Sequence, residues 1–254
     1  MGILNVTPDS FSDGGRFNQR DEAIRHAIKL AQDGADILDI GGESTRPGFS
    51  VVSEEEEMER VLPIISAIRN ELDIPISIDT YKAEVAHEAL LAGADIINDI
   101  WRAVGDPNMP KVAAAHQVPI ILMHNRQNKQ YNDLLIDMKK DLEESIHLVE
   151  KAGVSKENIW LDPGVGFAKT YEDNLVAMAH LEDFVAMGYP VLLGTSRKSF
   201  IGLALDLPVE ERLEGTLATV CLGIQKGCQI IRVHDVKETV RVSRMMDTML
   251  QRVR

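Results

Sequence analysis

Polar residues recur where short β-branched runs end: Asn5, Asp39, Asp79, Asn98 with Asp99, His124, Asp162, Thr195 through Lys198, and Arg232 with His234. A strand end buried only for packing would finish in Val or Ile. One such residue is explained by a loop cap or an Asx-turn. Recurrence at nearly every strand end is harder to explain that way, because all would share one rim and need a polar ligand. The groups form two chemical sets. Asp79, Asn98 and Asp162 can accept hydrogen bonds from a flat, donor-rich heterocycle. Lys198, Arg232, His234 and Arg46 suit phosphate or carboxylate oxygens. Together they fit a ligand with an N–H-rich ring at one end and an anion at the other. Two polar, glycine-bearing stretches, Thr7–Asn18 and Gly41–Ser50, also follow strands. They exceed the usual ~2–6 residues of such connections and read as lids.

The elements that must position these groups alternate along the whole chain. Strand-like runs fall at Gly2–Val6, Asp36–Ile40, Ile76–Asp79, Asp95–Asp99, Pro119–Met123, Ile159–Asp162, Val191–Gly194 and Ile230–Val233. Between them, apolar residues recur every three to four positions, as on helices. These helices are expected at about Asp21–Asp33, Lys82–Leu91, Pro110–His116, Leu134–Ala152, Asp173–Met187, Ser199–Leu203, Val209–Lys226 and Val236–Arg252. Ser53 followed by Glu56 resembles a capping box for another, ending near Leu72. This rhythm predicts an α/β chain folded as a closed (β/α)8 TIM barrel, one domain over residues 1–254. An open doubly wound sheet is the alternative, but it would normally carry a glycine fingerprint after its first strand, and none occurs. The first strand begins at residue 2 with nothing ahead of it to plug the lower mouth, which points to a trimmed start.

Composition removes several function classes. The 254 residues hold 27 Lys+Arg against 40 Asp+Glu, a net charge of −13. That balance argues against a general nucleic-acid or anionic-membrane binder. No apolar run approaches the ~18 residues of a spanning helix, and the first residues lack a signal-peptide core. Two cysteines make no disulfide framework. A cytoplasmic protein acting on small molecules is expected.

The motifs resemble a known family. Asn5-Val6-Thr7-Pro8-Asp9-Ser10-Phe11-Ser12-Asp13-Gly14-Gly15 is similar to the first signature of dihydropteroate synthases, and Asp39-Ile40-Gly41-Gly42-Glu43-Ser44-Thr45-Arg46-Pro47-Gly48 to the second. Ile78-Asp79-Thr80, Ile97-Asn98-Asp99, Met123-His124, Asp162 through Phe167, Ser196 through Ser199 and Arg232 through Asp235 follow in the family's order. The resemblance implies condensation of 6-hydroxymethyl-7,8-dihydropterin diphosphate with 4-aminobenzoate, in folate biosynthesis, with sulfonamides as competitors. It implies a pterin deep in the barrel. Asp162 takes the 2-amino and N3 groups, Asn98 and Asp79 the opposite edge, and Lys198 the 4-oxo and N5 side. Ile100, Met123 and Phe167 form the walls. It implies Mg2+ on Asn5, with the diphosphate on Asn5, Arg232 and His234. Aminobenzoate is expected at Phe11, Thr45, Arg46, Pro47, Ser199 and the Lys198 stem. Asp13, Asp79, Lys198 and Arg232 are the expected catalytic residues, in a homodimer.

Other readings make distinct demands. A pterin-binding methyltransferase domain should lack the first loop motif and the Ser196–Ser199 segment. A pterin-storing barrel has no need of lids and anion groups. A metal-dependent hydrolase barrel would want His-x-His on the first strand, and a Schiff-base aldolase a strand-end lysine, for which Lys198 could pass. The acidic run Glu54–Glu57 is expected to be a solvated helix start. Trp101 and Trp160 are expected to pack, and His26, His87, His116, His147 and His180 to lie at the surface or rim.

Overall fold

In a computed structural model the chain is described over residues 1–6, 16–43 and 52–251, with side chains from Arg20 onward in the second stretch. Among the described residues, eight short strands alternate with ten helices. The strands are β1 (Gly2–Asn5), β2 (Leu38–Gly41), β3 (Ile76–Asp79), β4 (Ile96–Asp99), β5 (Ile120–Met123), β6 (Ile159–Asp162), β7 (Leu192–Leu193) and β8 (Ile230–Ile231). The helices are α1 (Arg16–Gln32), α2 (Glu54–Glu71), α3 (Ala83–Leu91), α4 (Met109–His116), α5 (Leu134–Ala152), α6 (Tyr171–Ala179), α7 (Leu181–Val185), α8 (Ser199–Leu205), α9 (Leu213–Lys226) and α10 (Val236–Met249).

Every strand pairing is parallel, in chain order from β1 to β6 and between β7 and β8. Two single bridges complete the circle, Leu161 to Val191 and Gly2 to Val233. The Ile3 amide donates to Val233 O at 3.0 Å, and the Val233 amide to Met1 O at 3.0 Å. The expected barrel is therefore the observed fold.

Strand side chains alternate between two faces. Leu4, Leu38, Ile40, Ile76, Ile78, Ile97, Ile120, Leu122, Ile159, Leu161 and Leu193 join the large apolar layer beneath the helices. The opposite face points into the barrel. There Met1, Ile96, Ile121 and Leu192, with Ile37, Trp160 and Ile230, make a separate apolar plug across the lower barrel. Register places the next inward positions above that plug. Asn5 pairs with Gly41, Gly41 with Asp79, and Asp79 with Asn98, so these four share one level at the carboxyl ends.

Several boundaries differ from the sequence expectation. The helix expected over Asp173–Met187 starts earlier, because Thr170 Oγ1 accepts from the Asp173 amide (3.1 Å) while the Asp173 carboxylate accepts from the Thr170 amide (2.9 Å). It then breaks at His180, whose φ of −118° leaves the helical region. Val209–Glu211 is a separate single turn before α9. The loop expected through Asn18 is already helical at Arg16. Ser53 does cap α2, accepting from the Glu56 amide at 3.2 Å.

The acidic start of α2 is not wholly solvated. Glu57 is buried, with its carboxylate 2.5 Å from Lys82 Nζ, which also contacts Glu43. Its place on the face shared with Val61, Ile64 and Ile68 turns it inward.

Candidate active site

Arg232, just beyond β8, crosses the barrel mouth. Its Nε donates to Asp39 Oδ2 at 2.5 Å and its Nη2 to Asp79 Oδ2 at 2.6 Å. The same Asp39 carboxylate accepts from the Asn98 amide nitrogen at 3.3 Å. Asp39 is fully buried, so it is tolerable only because the guanidinium neutralises it. Removing one partner of such a buried pair costs about 3–5 kcal/mol. Asp79 keeps its second oxygen, Oδ1, buried and without a hydrogen bond among the described residues. Burial pushes Asp79 up to about 7. Arg232 opposes that rise, while the negative charges of Asp39, Glu57 and Asp99 add to it. Burial opposes the Arg232 charge, but its carboxylates outweigh that and raise it.

Across the mouth, Asp162 ends β6. Its Oδ1 accepts from the Gly164 amide at 2.7 Å, and burial raises its pKa against the opposing charge of Lys198. Lys198 donates to Val165 O and lies 4.7 Å above the centroid of the Phe167 ring. Burial drives Lys198 down to about 8; Asp162 and Asp79 raise it, and Arg232 lowers it further. The four charges thus form one electrostatic unit.

Two staples position the segment before Lys198. Arg197 forks onto Asp235 at 2.9 and 2.5 Å, and its amide donates to Thr216 Oγ1. Ser196 Oγ accepts from the His234 amide at 3.1 Å and lies 2.9 Å from His234 Nδ1. Ser196 Oγ thus ties the His234 backbone and ring to the segment before Lys198.

The expected residues Asp79, Asn98, Asp162, Lys198 and Arg232 therefore meet at one barrel mouth. Ile100 and Met123 are buried and Phe167 is half-buried. Asn5 shares the strand-end level of Asp79 and Asn98. Ser199 is exposed at the start of α8. Phe11, Asp13, Thr45, Arg46 and Pro47, and most of both lid stretches, lie outside the described residues. Arg232 holds one oxygen of Asp79 and the Gly164 amide one oxygen of Asp162, while the second oxygen of Asp79 is left open among the described residues. Asp99 is not part of the mouth. It faces the other way from Asn98 and caps the following turn, accepting from the Trp101 and Ala103 amides at 2.7 Å each.

Sequence reasoning named Asp39 and His124 only as polar strand ends, with no partner for either, and gave Lys169 and Asp141 no role. Alternation places Asp39 inside the barrel, since Leu38 and Ile40 face the helices. His124 marked a strand end, but its partner Lys169 follows a glycine-rich loop and carries no periodic signal.

The donor chemistry at Asn5 fits Mg2+ that arrives with a phosphate. A single amide oxygen suits a cation that keeps its waters and substrate oxygens. Among the described residues no cluster of three or more His, Cys, Asp or Glu could cage a metal. No described helix is long and apolar enough to cross a membrane.

Comparison with known proteins agrees with this geometry. A family described as pterin binding enzyme matches residues 1–234. Dihydropteroate synthase of Bacillus subtilis is 65% identical over 252 residues, covering 99% of this chain and 88% of that protein. The crystal structure of dihydropteroate synthase from Clostridium difficile, obtained in the presence of pteroic acid, superposes with a TM-score of 0.96. It shares 51% identity and covers 98% of this chain and 95% of that one. The Xanthomonas albilineans enzyme with 4-aminobenzoic acid gives 0.94, at 42% identity, over 100% and 93% of the two chains.

Proposed function

The chain belongs to the dihydropteroate synthase family of pterin-binding enzymes and is a transferase, and from that premise we propose the reaction, the order of its steps and the residues that carry it. The substrates are 6-hydroxymethyl-7,8-dihydropterin diphosphate and 4-aminobenzoate; the products are 7,8-dihydropteroate and pyrophosphate, within folate synthesis. The observation that carries this reading is the buried Oδ1 of Asp79, without a partner among the described residues, beside a cation shared with Asp39 and opposite Asp162 and Lys198. It is an acceptor set for ring N–H groups, joined to a cation set for an anion. Pteroic acid and 4-aminobenzoic acid, named with solved relatives, are the matching ligand class.

In this proposal Asp162 accepts from the 2-amino and N3 groups. Asn98 and Asp79 hold the opposite edge, Lys198 leaves Val165 O for the 4-oxo and N5 side, and Ile100, Met123 and Phe167 pack the ring faces. The bond from the exocyclic methylene carbon to the diphosphate oxygen breaks first. Both electrons leave with pyrophosphate, and the dihydropterin nitrogens spread the positive charge. Asp79 and Asp162 stabilise that cation, aided by Asp13 from the first loop; in a site poor in water their charge is little screened. Asn5 would hold Mg2+ on the diphosphate, where the metal supplies positive charge for the leaving group. Arg232 and His234 would bind the same diphosphate. Arg232 has committed two N–H groups to carboxylates and keeps the others for oxygens. The aniline nitrogen of aminobenzoate then attacks the methylene carbon with its lone pair. The ammonium so formed gives one proton to water or the departing pyrophosphate, so no strong base is needed. The aminobenzoate ring would pack on Phe11, Pro47 and the Lys198 stem, with Ser199 and the amides that open the following helix near its carboxylate, and Thr45 and Arg46 would also bind it. We further propose a cytoplasmic homodimer, in which the exposed Leu203 and Leu205 of α8 supply apolar contact area.

The test mixes the protein with pterin diphosphate, aminobenzoate and Mg2+. Pyrophosphate release matched mole for mole by dihydropteroate is expected. Binding of pterin with no release in any combination would reduce the protein to a binding barrel.

A further inference from the structure

The loop after β6 follows an unusual path. Gly164 has φ +65°, Gly166 has φ +90° and Ala168 has φ +46°. A side chain could not replace the first glycine, because its Cβ would lie 1.9 Å from His124 O. At Gly166 a Cβ would lie 2.8 Å from Lys198 Cδ. An Ala in left-handed backbone persists only where its surroundings over-determine it.

The surroundings here are a buried lysine. Lys169 is 4% exposed. Its Nζ donates to Gly164 O at 3.0 Å, to Phe167 O at 3.1 Å and to His124 Nδ1 at 3.0 Å, using all three ammonium protons. His124 is fully buried, and its Nε2 lies 3.1 Å from Asp141 Oδ2. A carboxylate there requires the proton on Nε2, which leaves Nδ1 as the acceptor for Lys169. Asp141 is fixed in turn by Arg126, at 2.5 and 3.1 Å. Tyr131 donates to Ala168 O at 2.8 Å, and the Gly166 amide donates to Asn174 Oδ1 at 2.6 Å. The two carbonyls that Lys169 holds flank Val165 and Gly166. That stretch carries the Val165 carbonyl on which Lys198 rests and leads to the Phe167 ring beneath the Lys198 ammonium.

We propose that Lys169, oriented by His124 and Asp141, is a positioning residue for the ring-binding half of the site. It touches no substrate. It fixes the loop that sets Phe167, the Gly164 amide on Asp162 and the resting place of Lys198. The inference deepens the proposed reaction and rests on that reading of the site. Burial pushes Lys169 down to about 7, against the supporting charge of Asp162, so its ammonium depends on the acceptors around it.

The test uses the whole protein and measures 6-hydroxymethylpterin binding by calorimetry, KM for each substrate, kcat and thermal melting. Lys169→Met keeps the stem and removes the three donors. Folded Lys169→Met is expected to bind pterin at least tenfold more weakly, with the aminobenzoate KM at saturating pterin changed less than twofold. Tyr131→Phe deletes one hydroxyl and leaves the rest of the network, so it probes the same loop if Lys169→Met fails to fold. A two- to fivefold loss of pterin affinity with melting little changed is expected. Pterin affinity at the wild-type level in Tyr131→Phe, or in folded Lys169→Met, would overturn the proposal. So would equal losses for both substrates. Wild-type protein that binds no pterin would instead overturn the proposed function itself.

Discussion

Asp79 and Asp99 end neighbouring strands; Asp79 is 10% exposed at the mouth and Asp99 is fully buried, and burial pushes both up to about 7. Their surroundings nevertheless give them opposite work. Asp99 faces outward from β4, and its two oxygens cap backbone amides of the following turn. Asp79 faces into the barrel, with one oxygen on Arg232 and the other without a partner among the described residues. A raised carboxylate pKa therefore marks burial, not chemistry. The open acceptor beside a shared cation is what separates the mouth of the barrel from its wall.

That contrast yields a graded set of expected outcomes. The largest is for Asp79→Asn, which should lower kcat/KM at least 100-fold, or about 2.7 kcal/mol of transition-state stabilisation. Asp99→Asn, assayed folded, should remain within about threefold of wild type. Similar losses in the two variants, by steady-state kinetics, would erase the distinction. Next comes Lys198→Ala, expected to cripple use of both substrates while melting near wild type. Near-normal turnover would remove Lys198 from the site. Asp13→Ala should lower kcat far more than pterin affinity; equal losses would deny the first loop a transition-state role.

Acidity sharpens the contrast further. kcat/KM should rise with pH through about 7 as Asp79 ionises and fall above about 8 as Lys198 loses its proton. Asp99→Asn should keep the acid limb, and Asp79→Asn should lose it. The smallest effect is on stability. Between about 4 and 7 the folded protein holds a proton on Asp99 that the unfolded chain has released, so this group makes stability fall as pH rises across that window. Asp99→Asn should flatten that slope, read from denaturant titrations at several pH values. It should also cost about 1–3 kcal/mol for a lost buried hydrogen bond.

The strand-and-helix rhythm made the barrel legible, because each strand is short, apolar in at least half of its positions and followed by a helical period. Ile76–Asp79, Leu134–Ala152 and Ile159–Asp162 fall where the pattern places them. Asp79, Asn98, Asp162, Lys198 and Arg232 were legible as polar strand ends. Their pairing was not, since Arg232 is far in sequence from Asp39 and Asp79, and only closure of the barrel brings them together. Asp99 was grouped with Asn98, although alternation sends adjacent strand residues to opposite faces. Glu57 was read as part of an acidic run, although its spacing from Val61, Ile64 and Ile68 marks it as inward. Lys169 had no such signal, because its role exists only once the loop folds back over it.

The most direct measurement is pyrophosphate release from pterin diphosphate, aminobenzoate and Mg2+ at neutral pH, with wild type, Asp79→Asn and Asp99→Asn run side by side. The account predicts stoichiometric release by wild type, release near that level by Asp99→Asn and at least a 100-fold loss in Asp79→Asn. No release by wild type, or equal rates in the two variants, would contradict it.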